Sequence, residues 1–149
     1  MSTRSNTRIK DGDNVTILYK HHDGYPEGVG KYLTSILKKY GFDLFKGNDY
    51  LNVLNSEDLS FDGFEEDDYY AGDSEYIYTI DLNKKTLSYI DKCPCDDDFE
   101  FDNIDEMDSE ILYEEIDMND KISKFEKILN GFNESIKELQ NQINILKNS

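Results

Sequence analysis

The sequence predicts an α+β protein: an antiparallel sheet of two hairpins with a packed helix, then an acidic segment and a long C-terminal heptad helix. Three observations carry that expectation. Apolar residues alternate at period two in two separate stretches, they recur at helical spacing between those stretches, and a seam at spacings of three and four runs from Ile122 to Leu146. The expected division is a core domain over residues 1–92, an acidic segment over 93–120 and a coiled-coil-like helix over 121–149.

Residues 4–10 and 14–20 flank Asp11-Gly12-Asp13, and Val15, Ile17 and Tyr19 alternate, so the start reads as a hairpin with a turn that needs positive φ. After the glycine-rich stretch "YKHHDGYPEGVGKYL", residues 19–33, the residues Val29, Leu33, Ile36, Leu37 and Tyr40 share one helical face. Gly41 is placed to end that helix. Leu51, Val53, Leu54 and Leu59 predict a second, short helix, and residues 62–75 read as an exposed acidic loop. Tyr76, Tyr78, Ile80 and Leu82 alternate with Ile77, Thr79 and Asp81 ahead of "TLSYI", which predicts a second hairpin. Between Cys93 and Asp120 there are 13 Asp/Glu and no Lys/Arg, yet Phe99, Phe101, Ile104, Met107, Ile111, Leu112, Tyr113, Ile116 and Met118 lie among them. A purely solvating tail would not carry so many large apolar groups.

The last element is the most regular. Ile122, Leu129, Ile136 and Ile143 occupy heptad position a, and Phe125, Phe132, Leu139 and Leu146 occupy position d. Exposed alone, that stripe would lie in water, so self-association into a homodimer is expected. Ile at a with Leu at d favours a parallel pair, a preference that Phe at d and Gly131 weaken.

Charge is the strongest compositional signal. The chain of 149 residues has a net charge of −17, spread unevenly: residues 1–40 hold 7 Lys/Arg against 4 Asp/Glu, residues 41–120 hold 4 against 26, and residues 121–149 hold 5 against 3. Such a balance repels free nucleic acid and anionic membranes and attracts basic surfaces. The expected partner is therefore a basic, nucleic-acid-binding protein, with no direct nucleic acid and no membrane. No apolar run approaches the roughly 18 residues of a membrane span, and the start lacks a signal-peptide core, so a cytoplasmic location is expected.

Tests for chemistry mostly fail. Five residues separate Gly24 from Gly30 and Tyr32 follows Lys31, so the phosphate-loop pattern is missed on spacing and on the magnesium-binding hydroxyl. What survives is a turn whose amides precede a helix, with Arg4, Arg8, Lys10, His21, His22, Gly28, Gly30 and Lys31 as candidate anion-binding residues. Adjacent strand residues point to opposite faces, so His21 and His22 could act on one atom only if the strand has ended. Cys93 and Cys95 with the two histidines have poor spacing for zinc, and Asp96-Asp97-Asp98 lacks the pattern of a calcium loop. No catalytic residue, metal or cofactor is assigned, and the chain is read as a non-enzyme.

"MSTRS", "LYKHHDGYPEGVGKYL" from Leu18 and "YIYTIDLNKKTLSYI" from Tyr76 together resemble a group of small, mostly uncharacterised proteins of bacteriophages and mobile elements. In that group a tryptophan is usual where His22 stands here. The resemblance covers roughly residues 1–91 and implies a protein acting inside a bacterial cell. By analogy with small acidic phage proteins it implies an inhibitor of host defence, anti-CRISPR or anti-restriction, working by nucleic-acid mimicry. The expected contact residues are Glu65, Glu66, Asp67, Asp68, Asp96, Asp97, Asp98, Glu100 and Asp102, with Tyr69, Tyr70, Phe99 and Phe101 as aromatic anchors. Two other readings stay open: a phosphate-ligand or nucleotide binder, such as a sponge for a defence signal, built on the N-terminal basic half, and a virion or assembly structural protein.

Overall fold

The computed structural model describes residues 3–56, 63–92, 99–115 and 118–148. Within them the chain forms two compact units, Met1–Glu114 and Glu115–Ser149. The first is an α+β domain built on a six-stranded sheet in the order β3-β2-β1-β4-β5-β6. Its two predicted hairpins are β1 (Ser5–Asp11) with β2 (Asn14–Lys20), and β4 (Tyr76–Asp81) with β5 (Thr86–Asp91). Both are antiparallel, whereas β1 and β4 lie side by side in parallel, Ser5 opposite Tyr76 and Ile9 opposite Ile80. The sheet is thus mostly antiparallel; β2 returns the chain alongside β1, so Lys20 and Tyr76 both lie opposite Ser5 and residues 21–75 begin and end at the same end of the sheet.

The first turn has two residues, with Gly12 at φ +62°, so glycine occupies the position that a side chain would strain. Its amide donates to Asn83 Oδ1 at 2.9 Å, and the Asp81 carboxylate accepts the amides of Asn83 and Lys84, so the two hairpin turns hold each other. The predicted helix is α1 (Lys31–Tyr40), ended where Gly41 adopts φ +80° and donates its amide to the Leu37 carbonyl. The short helix is α2 (Tyr50–Ser56); Leu59 falls outside the described residues.

Leu33, Ile36 and Leu37 of α1 pack with Val29, Phe42, Phe45, Leu54 and Phe64 onto Ile9, Leu18, Tyr78, Ile80 and Leu87 of the sheet. Each such side chain, fully buried, contributes about 1.5–3 kcal/mol, so this face sets the stability of the domain. The last two strands lie at the two edges of the sheet. β3 (Glu65–Asp67) pairs with β2 inside the stretch read as a loop, and β6 (Glu110–Glu114) pairs with β5 inside the acidic segment, with a register irregularity near Leu87 and Ser88. Neither alternates apolar with polar residues, so neither carried the period-two signature of a strand.

The second unit is α3 (Met118–Lys147), a helix of 30 residues. Its seam residues Ile122, Phe125, Leu129, Phe132, Ile136, Leu139, Ile143 and Leu146 are 50–73% exposed. No helix among the described residues is long and apolar enough to cross a membrane.

Candidate functional site

The second face of the sheet begins with Asn6, Arg8 and Lys10 of β1, whose side chains point away from the apolar core. Asn6 bridges two regions: its Nδ2 donates to the Leu18 carbonyl, and its Oδ1 accepts from the Ala71 amide and the Ser74 hydroxyl. Arg8 is 95% buried, and its Nη1 donates to Asp105 Oδ1 at 3.1 Å and to Thr79 Oγ1 at 3.2 Å. Lys10 Nζ reaches the same Asp105 oxygen at 3.4 Å. The hydrogen bond from Arg8, more than the neighbouring charge of Lys10, holds the Asp105 carboxyl below the usual aspartate range.

Two acidic stretches close over this layer. The ring of Tyr70 stacks on Phe101 at 4.8 Å between centroids, Phe101 meets Phe99 edge-on, and Ile104 is buried. Burial raises the Tyr70 phenol, partly offset by its contact with Arg8. Lys92, also buried, donates to the carbonyls of Gly72 and Ser74 and lies 5.6–5.7 Å from the Phe99 and Phe101 ring centres. Apolar groups and carboxylates of the acidic stretches therefore cover cations of the sheet.

The outward side of those stretches is different in character. Residues 63–73 and 99–114 contain no Lys or Arg, and Glu65, Glu66, Asp67, Asp68, Glu100, Asp102, Glu106, Asp108, Glu110 and Glu114 are all exposed. Three cations of the domain, Arg8, Lys20 and Lys92, are buried, and two more are engaged, Lys10 by Asp105 and Arg4 by Asp73 at 2.6 Å. Both sheet edges and the cover of the second face are consequently anionic. Of the residues expected at a partner surface, Tyr70, Phe99 and Phe101 come together as one aromatic group, Tyr70 stacked on Phe101 and Phe99 edge-on to it. Glu65, Glu66, Asp67, Asp68 and Tyr69 form and follow the β3 edge, and Asp96, Asp97 and Asp98 lie outside the described residues.

The candidate anion-binding residues divide among three places. Arg8 and Lys10 hold Asp105 on the second face. Arg4 Nε donates to His21 Nδ1 at 3.3 Å, and the Tyr19 hydroxyl lies 2.9 Å from the same nitrogen. Because β2 ends at Lys20, His21 and His22 escape strand alternation and their rings meet edge-on at 4.5 Å. Gly28, Gly30 and Lys31 belong to a third place, a π-helical turn (Pro26–Gly30) and the start of α1. There the Gly28 amide donates to the Tyr25 carbonyl, the Val29 amide donates to the Asp23 carbonyl, and Gly30 lies against Tyr78 and Leu112. The buried Tyr78 hydroxyl donates to the Gly24 carbonyl at 2.6 Å, tying this turn to β4. The local role of "YKHHDGYPEGVGKYL" is to leave β2, turn and enter α1.

Sequence reasoning singled out neither Asp105 nor the Tyr89–Glu110 pair. Tyr89 donates to Glu110 Oε2 at 2.7 Å, and that carboxylate pushes the phenol up to about 12. An open cleft of about 480 Å³ lies between the first hairpin, α2 and β3, with Ile9, Phe45 and Leu51 among its apolar walls and Asp11, Asn14, Lys46 and Glu66 among its polar ones. Among the described residues no three of His, Cys, Asp and Glu converge as a metal site; Cys93 and Cys95 lie outside them. No family model, no curated protein and no solved structure matches the chain.

Proposed function

We propose that this chain is a non-enzymatic interaction protein that offers an anionic surface to a basic, nucleic-acid-binding protein, and that it self-associates through α3. The observation that carries the reading is the sorting of charge. Carboxylates line both sheet edges and the cover of the second face, while Arg8 and Lys92 lie beneath that cover. A surface of this kind can occupy the groove that phosphates would fill and speeds encounter with a cationic partner. Three of the basic groups that a phosphate ligand would use are engaged by carboxylates instead, Arg8 and Lys10 by Asp105 and Arg4 by Asp73. The phage-type resemblance of residues 1–91 directs the reading further, toward an inhibitor of a bacterial defence nuclease.

The test is a pull-down from bacterial lysate at low and high salt, run beside a variant carrying Glu65→Gln, Glu66→Gln, Asp67→Asn and Asp68→Asn. The reading expects a nucleic-acid-binding protein that is lost at high salt and depleted by the variant. A capture indifferent to both changes would overturn it.

A further inference from the structure

Self-association through α3, as proposed above, leaves open which way the two helices run. The stripe of α3 is long, and a shallow hollow on it is lined by Ile122, Phe125, Glu126, Leu129 and Asn130. A surface with a seam repeating every 3.5 residues over four heptads fits a helix with the same repeat, which a second copy supplies. The choice of direction then follows from which side chains face each other across the seam.

In a parallel pair each layer repeats itself, so Phe125 meets Phe125 and Phe132 meets Phe132, while Ile122, Ile136 and Ile143 meet their own kind. Bulky and β-branched layers would then alternate unevenly along the N-terminal half. In an antiparallel pair centred near residue 134, a positions face d positions: Ile122 faces Leu146 of the second copy, Phe125 faces Ile143, Leu129 faces Leu139, and Phe132 faces Ile136. Every layer then combines a large or γ-branched group with an aliphatic one, giving a seam of even width.

Electrostatics acts in the same direction. The first unit, residues 1–114, holds 27 Asp/Glu against 11 Lys/Arg, a net of −16, and it joins α3 at the helix N-terminus. A parallel pair would bring two such junctions together. An antiparallel pair separates them by about 48 Å along the helix axis at 1.5 Å per residue, far beyond a Debye length of about 8 Å. The parallel pair has two compensations: Ile at a with Leu at d, which holds only in the two C-terminal heptads and is interrupted by Phe125 and Phe132 in the others, and Lys121 opposite Glu126 of the second copy, an exposed ion pair of a sort that contributes little.

We infer that α3 pairs with α3 of a second copy in antiparallel fashion, so that the two anionic domains join the paired helices at opposite ends. The inference rests on the self-association proposed above. It implies bivalency: one dimer can engage two basic sites that are far apart, or two partner molecules.

Spin labels on the full chain, with Cys93→Ser and Cys95→Ser to remove the native thiols, test it by pulsed distance measurement. A label at Asn133→Cys lies near the centre, and one at Asn148→Cys lies at the helix end. Antiparallel pairing predicts a separation under about 20 Å for the first and about 42 Å along the axis for the second. Short separations at both positions would overturn the direction while leaving self-association intact. No intermolecular separation at either position, with a monomeric mass by light scattering, would overturn both.

Discussion

Residues 99–106 and α3 carry the same kind of sequence, large apolar groups set among charges, yet the first stretch packs within its unit and the seam of the second is exposed. Phe101 stacks on Tyr70, Ile104 is buried, and Asp105 meets Arg8. In α3 the comparable residues keep half or more of their surface exposed. Irregular spacing in residues 99–106 makes no continuous seam, and its apolar groups use a cationic sheet face that lies within reach. The helix has a continuous seam that only an elongated surface can match. The difference shows that an acidic composition does not by itself mark a solvated segment: what decides is whether the interleaved apolar groups find a surface of the right shape.

The largest effect that would sharpen this contrast is expected in the core beneath the sheet. Ile80→Ala should cost about 2–5 kcal/mol in denaturant unfolding, because the residue is fully buried opposite Leu87 and belongs to the same apolar cluster as Leu33. A loss under about 1 kcal/mol would show that stability does not reside on this face.

Ile104→Ala comes next, at about 2 kcal/mol. It should raise amide hydrogen exchange selectively in residues 99–106, since the same side chain anchors the cover. Uniform exchange across the domain would mean that the cover has no independent opening.

Asp105→Asn should have a smaller effect, about 1 kcal/mol, because the carboxylate is half exposed and screened by solvent. Its pH dependence has a definite sign. The folded-state pKa of Asp105 lies below the ordinary value of 3.8, so its contribution is present above that value and is lost as pH falls through the folded pKa. The stability gap between the native chain and Asp105→Asn should therefore close on acidification below about pH 4. A gap that persisted there would contradict the Arg8–Asp105 contact.

The smallest effect on the domain belongs to the exposed pair at its edge. Glu110→Gln should bring the Tyr89 phenol down from about 12 toward 10 in an ultraviolet titration, with unfolding unchanged within about 0.5 kcal/mol. Leu129→Ala should likewise leave domain unfolding unchanged while weakening self-association, and a destabilised domain would show that α3 supports it.

Much of this fold was legible in the residues themselves. The hairpins followed from Val15, Ile17 and Tyr19 and from Tyr76, Tyr78 and Ile80, and α1 from Leu33, Ile36 and Leu37 with Gly41 behind them. The parallel join of β1 to β4 was not legible, because neighbouring strands from distant segments leave no local pattern. Nor were β3, three charged residues at an edge, and β6, where Leu112 and Tyr113 are consecutive apolar residues beside a register irregularity. The abundance of exposed carboxylates was legible as composition. Their geometry depended on a pairing 97 positions apart in sequence, Arg8 with Asp105, which no spacing rule could supply.

The central claim, that the anionic surface stands where phosphates would stand, is tested most directly by competition. A nucleic-acid-binding protein captured by this chain would be titrated with unlabelled duplex DNA at fixed low salt. The account predicts mutually exclusive binding, with release of the chain tracking occupancy of the DNA site and with weaker competition required for the variant lacking charge at residues 65–68. A stable ternary complex of chain, partner and DNA would contradict it.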